Sequence, residues 1–301
     1  MRAKAAEFFQ RVQDGICAAL EQEDGNALFR EDLWQRPDGK TMSGGGGRTR
    51  VLAGGDVFEQ AGVNFSEVHG TLPSDMSRTL TGLDTPQPFF ATGISLVIHP
   101  FSPLVPTTHA NYRYLEVGSF AWFGGGADLT PYYIYEEDAE HFHRVLKTAC
   151  DRHDSQHYPK FKAECDRYFY LPHRGETRGV GGIFFDYVGK DGTVDLETVF
   201  SMVQELAQTI VTAYLPIVQR RKSLPFTERE KSFQLLRRGR YVEFNLLFDR
   251  GTLFGLKTGG RTESILMSLP PEVRWEYDFR PEPGSREAHL LEVLSNPRDW
   301  V

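Results

Sequence analysis

The stretch Gly93–Asp128, GISLVIHPFSPLVPTTHANYRYLEVGSFAWFGGGAD, decides how this chain reads. It opens as an apolar, β-branched run that ends at His99-Pro100. Pro100, Pro103 and Pro106 then fix backbone angles, so the loop loses little entropy on ordering and can present side chains rigidly. The chain re-enters as a strand at His109-Ala110-Asn111-Tyr112-Arg113. Alternate strand residues share a face, which brings an imidazole (His109), an amide (Asn111) and a guanidinium (Arg113) together. A guanidinium fork matches a carboxylate bidentately, so an anionic guest suits this row. A plain polar row on a half-exposed strand would look the same. Asp128 comes after three glycines, read as a turn that lets a ligand approach the backbone. Its carboxylate is a candidate base, or a cap for a turn at Leu129-Thr130-Pro131.

Working outward, strand patterns cover Thr49–Leu52, Val57–Phe65, Phe90–His99, Tyr112–Val117 and Phe120–Phe123, and Val180–Asp186 reads as a buried strand. Helical spacing covers the N-terminus (Phe8, Phe9, Val12, Ile16, Leu20), Glu136–Cys150, Lys160–Tyr168 and Arg286–Leu294. Asp195 caps a long helix through Arg221, in which Pro216 predicts a kink or break. Arg240–Phe248 alternates, Asp249-Arg250-Gly251 is a turn signal and Thr252–Leu256 returns, which predicts a hairpin. Arg36–Arg48, with its run of glycines, predicts a mobile loop. Strands that succeed one another without intervening helices favour a single α+β domain over residues 1–301: a large antiparallel sheet with helices on both faces.

Composition narrows function. The 301 residues are 40% hydrophobic and 25% charged, with net charge −7, which gives no support for a nucleic-acid face. Arg220-Arg221-Lys222 and Arg237-Arg238-Gly239-Arg240 read as helix ends or a rim. Three cysteines without a C-x-x-C fit a reducing compartment. No stretch reaches the ~20 apolar residues of a membrane span, and Glu7 and Asp14 argue against a mitochondrial transit peptide, so the expected location is cytoplasmic. Walker, dinucleotide, nucleophile-elbow and H-E-x-x-H patterns are all missing. His99, His109, His143 and His173 could converge on a divalent metal, but no ligand pair has zinc-type spacing, and they could equally bind carboxylates or donate protons. Thr258–Ser264, TGGRTES, offers backbone N–H groups and Arg261 as a second anion clamp, or is an ordinary turn.

These segments resemble the oxygen-dependent coproporphyrinogen III oxidases, of bacterial type. The resemblance runs through GGGGRTR (Gly44–Arg50), VFEQAGVNF (Val57–Phe65), Gly93–Arg113, WFGGGADLTP (Trp122–Pro131), HRGETRGVGGIFFD (His173–Asp186), RGRYVEFN (Arg238–Asn245) and DRGTLFGLKTGGRTESILMS (Asp249–Ser268). It departs where the Arg113–Trp122 segment is short and where Ala121 and Glu164 stand for tryptophan. The resemblance implies oxidative decarboxylation by O2 of two propionates of a tetrapyrrole to vinyl groups, yielding protoporphyrinogen IX, carbon dioxide and hydrogen peroxide. It implies no organic cofactor and a homodimer joined around Tyr241–Tyr277. It also implies His109 as proton donor, substrate contacts from Ser95, Asn111, Tyr112, Arg113, Gly259, Gly260 and Arg261, and His99, His109, His143 and His173 as proposed metal ligands. Asp128 is then expected to take or to orient a pyrrole N–H proton. A tetrapyrrole carrier without chemistry, or a metal-dependent oxygenase of another carboxylated aromatic, would use similar residues.

Overall fold

A computed structural model describes residues 1–36, 44–257 and 260–301. Helix α1 (Arg2–Asp24) leads into β1 (Arg30–Gln35), β2 (Gly45–Ala53) and β3 (Phe58–Leu72). Helix α2 (Ser74–Thr81) precedes β4 (Gln87–Pro100), β5 (Thr107–Val117) and β6 (Phe120–Thr130). Then come α3 (Glu136–Asp151), α4 (His157–Tyr168), a small ribbon of β7 (Tyr170–Leu171) and β8 (Glu176–Thr177), and β9 (Gly181–Val188). The chain ends in α5 (Leu196–Arg221), α6 (Glu228–Leu247), α7 (Arg250–Lys257), α8 (Thr262–Leu266) and α9 (Arg286–Ser295). Seven strands form one sheet in the order β1-β2-β3-β4-β5-β6-β9, every pair antiparallel. This is the α+β architecture expected from strands that run consecutively.

One sheet face carries the main core. Phe65, Ile94, Leu96, Ala110, Tyr112, Phe123, Ala127 and Ile183 are buried there beneath α1 and α5. The stripe Val199, Val203, Leu206 and Ile210 of α5 is buried as its spacing predicts, each side chain contributing about 1.5–3 kcal/mol. Asp195 accepts hydrogen bonds from the amides of Glu197 and Thr198, capping α5. Pro216 lies inside α5 without interrupting it.

Three local expectations are corrected. Residues 240–247 and 250–256 are helical, not a hairpin. Thr227 and Glu230 form a capping box that starts α6, and the buried Phe233, Leu236, Arg237, Tyr241 and Phe244 recur at helical spacing. The short window Arg240–Phe248, with apolar groups on both phases, could not separate the two periods. Asp249 is a helix start rather than a hairpin turn, since its Oδ2 accepts from the Thr252 amide at 2.7 Å. The glycines 45–47 lie in β2, where a Cβ at Gly47 would sit 2.3 Å from the Trp34 ring. Likewise Gly124–Gly126 belong to β6 and not to a turn. Part of the Arg36–Arg48 loop, and Gly259, lie outside the described residues.

Candidate active site

The second sheet face carries the polar groups, and strand register sets them in rows. One row crosses the sheet as Asp32, Thr49, Asn64, Ser95, Asn111, Gly126 and Phe184. Beside it run Gly62, Val97, His109, Asp128 and Gly182, and on its other side Gly93, Arg113 and Gly124. Helix α8 covers the β1–β3 end: Asn64 Nδ2 donates to the Ser264 carbonyl at 2.6 Å, and the Thr49 and Ser264 hydroxyls bond at 2.7 Å. Ser95, His109, Asn111 and Arg113 stay half-buried in the middle. The predicted grouping of His109, Asn111 and Arg113 is therefore present, with Ser95 beside Asn111.

At its centre Asp128 is buried in contact with two cations or potential cations. His109 Nδ1 lies 2.8 Å from Asp128 Oδ1, and Arg178 Nη2 donates to both Asp128 oxygens at 2.9 and 2.7 Å. Arg178 is itself buried, its guanidinium lying 4.1–4.9 Å from the ring centres of Phe169, Tyr241 and Phe244. Burial alone would raise the Asp128 pKa, but the Arg178 charge and the His109 bond hold it below the ordinary carboxylate value. A carboxylate held ionised by these hydrogen bonds is placed to orient its partners, one of the two roles expected of it. An ionised carboxylate only accepts, so His109 carries its proton on Nδ1 and keeps Nε2 as an acceptor. Nε2 has no partner among the described residues.

The arginines divide by partner. Arg113 donates from Nη1 to Asn111 Oδ1 at 3.0 Å and from Nη2 to Asp186 Oδ2 at 2.7 Å. Arg261 pairs with Asp32, while its buried Nη1 has no partner among the described residues. Arg250 is exposed, 4.8 Å from the centre of the Tyr168 ring and 5.6 Å from that of Phe184. Phe184 ends the Asn111 row, stacked on Tyr168 at 4.1 Å. Pattern reading missed Arg178, Asp186 and Arg250. They sit inside the strings that carry the resemblance, but nothing in spacing reveals which arginine is buried beside a carboxylate. Tyr112 is corrected: it points to the opposite face, where its hydroxyl donates to the Leu206 carbonyl at 3.2 Å. Gly260 closes the α7–α8 connection, its amide donating to the Gly255 carbonyl at 2.7 Å.

The four histidines do not converge. His99 donates from Nε2 to the Ser268 carbonyl at 2.9 Å, and its Nδ1 faces the Thr107 hydroxyl at 3.3 Å. His143 donates from Nε2 to the Val180 carbonyl at 3.0 Å, and its Nδ1 meets the Tyr158 hydroxyl at 2.8 Å. Both rings are buried. Burial, with nearby Arg238 for His99, pushes their pKa values down to about 3 and about 4. Each neutral ring has thus spent its lone pair on a hydroxyl. His173 is exposed, bonded to Glu243 at 2.8 Å and stacked on Phe248. Among the described residues no group of three or more His, Cys, Asp or Glu side chains is placed to hold a metal ion. The donor set proposed from the resemblance does not fit a single ion.

Comparison with known proteins gives the family. The family model for coproporphyrinogen III oxidase matches residues 4–300. An oxygen-dependent coproporphyrinogen-III oxidase of soybean chloroplasts (Glycine max) is 52% identical over 315 aligned positions, covering 100% of this chain and 80% of the relative. The chloroplastic coproporphyrinogen-III oxidase 1 of Arabidopsis thaliana is 50% identical with the same coverage. The chain therefore belongs to the coproporphyrinogen III oxidase family and is an oxygen-dependent oxidoreductase of haem biosynthesis.

Proposed function

We propose that the half-open row of Ser95, His109, Asn111 and Arg113 is where the tetrapyrrole lies and reacts. Each turnover converts a propionate arm, R–CH2–CH2–COO⁻, with O2 and one proton into R–CH=CH2, carbon dioxide and hydrogen peroxide. A hydrogen leaves the β-carbon with its electron pair and reduces dioxygen. The bond to the carboxylate then breaks and its electrons form the vinyl double bond. The electron-rich substrate supplies both electrons, so no organic cofactor enters this reading.

The observation that carries it is the Arg178–Asp128–His109 chain, which fixes the half-buried imidazole and leaves Nε2 without a partner among the described residues. His109 handles the proton that peroxide formation consumes. Arg113, Arg250 and Arg261 hold carboxylate arms, and Phe184 and Gly126 give a flat surface for a ring. Incubating pure protein with coproporphyrinogen III in air and under nitrogen tests this. Protoporphyrin and carbon dioxide should form only in air. Tight binding without product in air would leave a carrier, and turnover that needs added metal would point to another oxygenase class.

We also read the protein as a homodimer in the cytoplasm. The α6–α7 region and the segment beyond it expose Leu247, Phe248, Phe254, Leu256, Trp275 and Tyr277, a set of large apolar groups typical of buried contact surface. Three free, buried cysteines fit a reducing compartment. Among the described residues no helix is long and apolar enough to cross a membrane. Sedimentation of wild type and Leu247→Asp tests the dimer, and cell fractionation tests the location.

A further inference from the structure

We propose that Asp186 is a placeholder carboxylate: it occupies the Arg113 fork in the free enzyme and gives it up to a carboxylate arm of the substrate. This rests on the reading that Arg113 binds such an arm.

Five observations meet here. The contact is a single bond, Arg113 Nη2 to Asp186 Oδ2 at 2.7 Å; with Nη1 held by Asn111, the Nε–Nη2 edge of the guanidinium is the one a bidentate ligand can take once Asp186 yields. The pair is partly open, with 30% of the Arg113 side chain and 15% of the Asp186 side chain exposed. Asp186 stands at an irregularity of the β6–β9 register, between the pairs Phe123–Val188 and Gly125–Phe185. Such bulges re-aim side chains. Tyr187 next to it takes a left-handed backbone (φ 59°), and its amide donates to Asp186 Oδ1 at 3.0 Å. That conformation is costly for a non-glycine residue. Finally, the pair lies over Gly124: a Cβ there would come 2.5 Å from Asp186 Oδ1 and 3.1 Å from Arg113 Nη2. Backbone strain and a bare glycine thus hold a carboxylate where a substrate carboxylate would bind.

The consequence is selection. A bidentate anionic arm can displace a monodentate aspartate from a shared fork. A neutral arm offers nothing in exchange, so Asp186 keeps Arg113. Asp186 is therefore a positioning residue that sets a threshold for carboxylated ligands.

The test uses full-length protein, coproporphyrin III as a non-reacting fluorescent probe, and coproporphyrinogen III in air. Asp186→Asn keeps an acceptor for the Tyr187 amide and removes the charge. Its Kd for the probe and its KM should each fall about fivefold, with kcat within about twofold. Asp186→Ser, which also lacks the charge, should agree if the amide disturbs folding. In an Arg113→Gln background the same change should do nothing, since the competition acts through Arg113. An unchanged or weaker affinity for Asp186→Asn overturns the proposal, as does tightening that persists without Arg113. If Arg113→Gln alone leaves Kd and KM unchanged, the failure lies in the Arg113 anchor, and the placeholder falls with it.

Discussion

Two carboxylate–arginine pairs stand on the same sheet face, and they differ in almost everything but chemistry. Asp128 and Arg178 are sealed, with 3% and 2% of their side chains exposed, and the guanidinium lies among three aromatic rings. Asp186 and Arg113 are five to fifteen times more open. In the first pair desolvation has been met by multiple hydrogen bonds, so neither partner can be exchanged. In the second, one bond in a wetter setting contributes little and can be replaced. The contrast teaches that burial, rather than residue type, separates a group that orients chemistry from a group that trades partners.

The largest expected effect breaks the first pair chemically. Asp128→Asn would no longer enforce the Nδ1–H form of His109, and kcat should drop about 10³-fold with substrate still binding. Retention of more than a tenth of wild-type kcat would remove the orienting role. The next effect is on stability. Arg178→Gln leaves Asp128 buried beside one weak partner, so urea unfolding should show a loss of about 3–5 kcal/mol. A loss below about 1 kcal/mol would mean that the pair is not sealed in solution.

This difference in burial was the part that the sequence could not disclose. Alternation put His109, Asn111 and Arg113 on one face, and register confirmed it, because a strand's period of two leaves no freedom. The same alternation should have removed Tyr112 from the substrate contacts, since it is one residue out of phase. The motif strings contained Arg178 and Asp186, but a local string does not say that Arg178 meets a carboxylate fifty positions away. Helix α6 was misread because Tyr241, Val242, Phe244 and Leu246 satisfy both periods over a short window, and only its capping box and the longer stripe from Phe233 decide the matter. The histidine set failed for a related reason. Residue type suggests ligands, whereas the hydroxyls of Thr107 and Tyr158 that consume the lone pairs come from other segments.

Acid should resolve the buried groups one after another. His99 and His143 have folded pKa values of about 3 and about 4, below the unfolded value near 6.5. Between pH 6.5 and 4 the unfolded chain binds more protons, so stability falls as pH falls, by up to about 3 kcal/mol per pH unit for two sites. His143→Gln should remove roughly half of that slope in urea titrations across this range. The Asp128 pKa is depressed from an unfolded value near 3.9, so its contribution is intact above about pH 4 and is lost as pH falls through the folded value. A flat stability profile from pH 6.5 to 4 would contradict neutral, buried histidines.

The smallest effect completes the comparison from the open side. Arg113→Gln should change unfolding free energy by no more than about 1 kcal/mol, because a partly exposed pair in high dielectric contributes little. Its signature lies in ligand binding: KM should rise, and the wild-type dependence of KM on salt should flatten, since one screened contact to a carboxylate is gone. Salt should leave the loss caused by Arg178→Gln nearly untouched, because counter-ions do not reach a pair buried under aromatic rings. If Arg113→Gln instead destabilised the fold as much as Arg178→Gln, the half-open pair would be a structural clamp, and exchange with substrate would lose its basis.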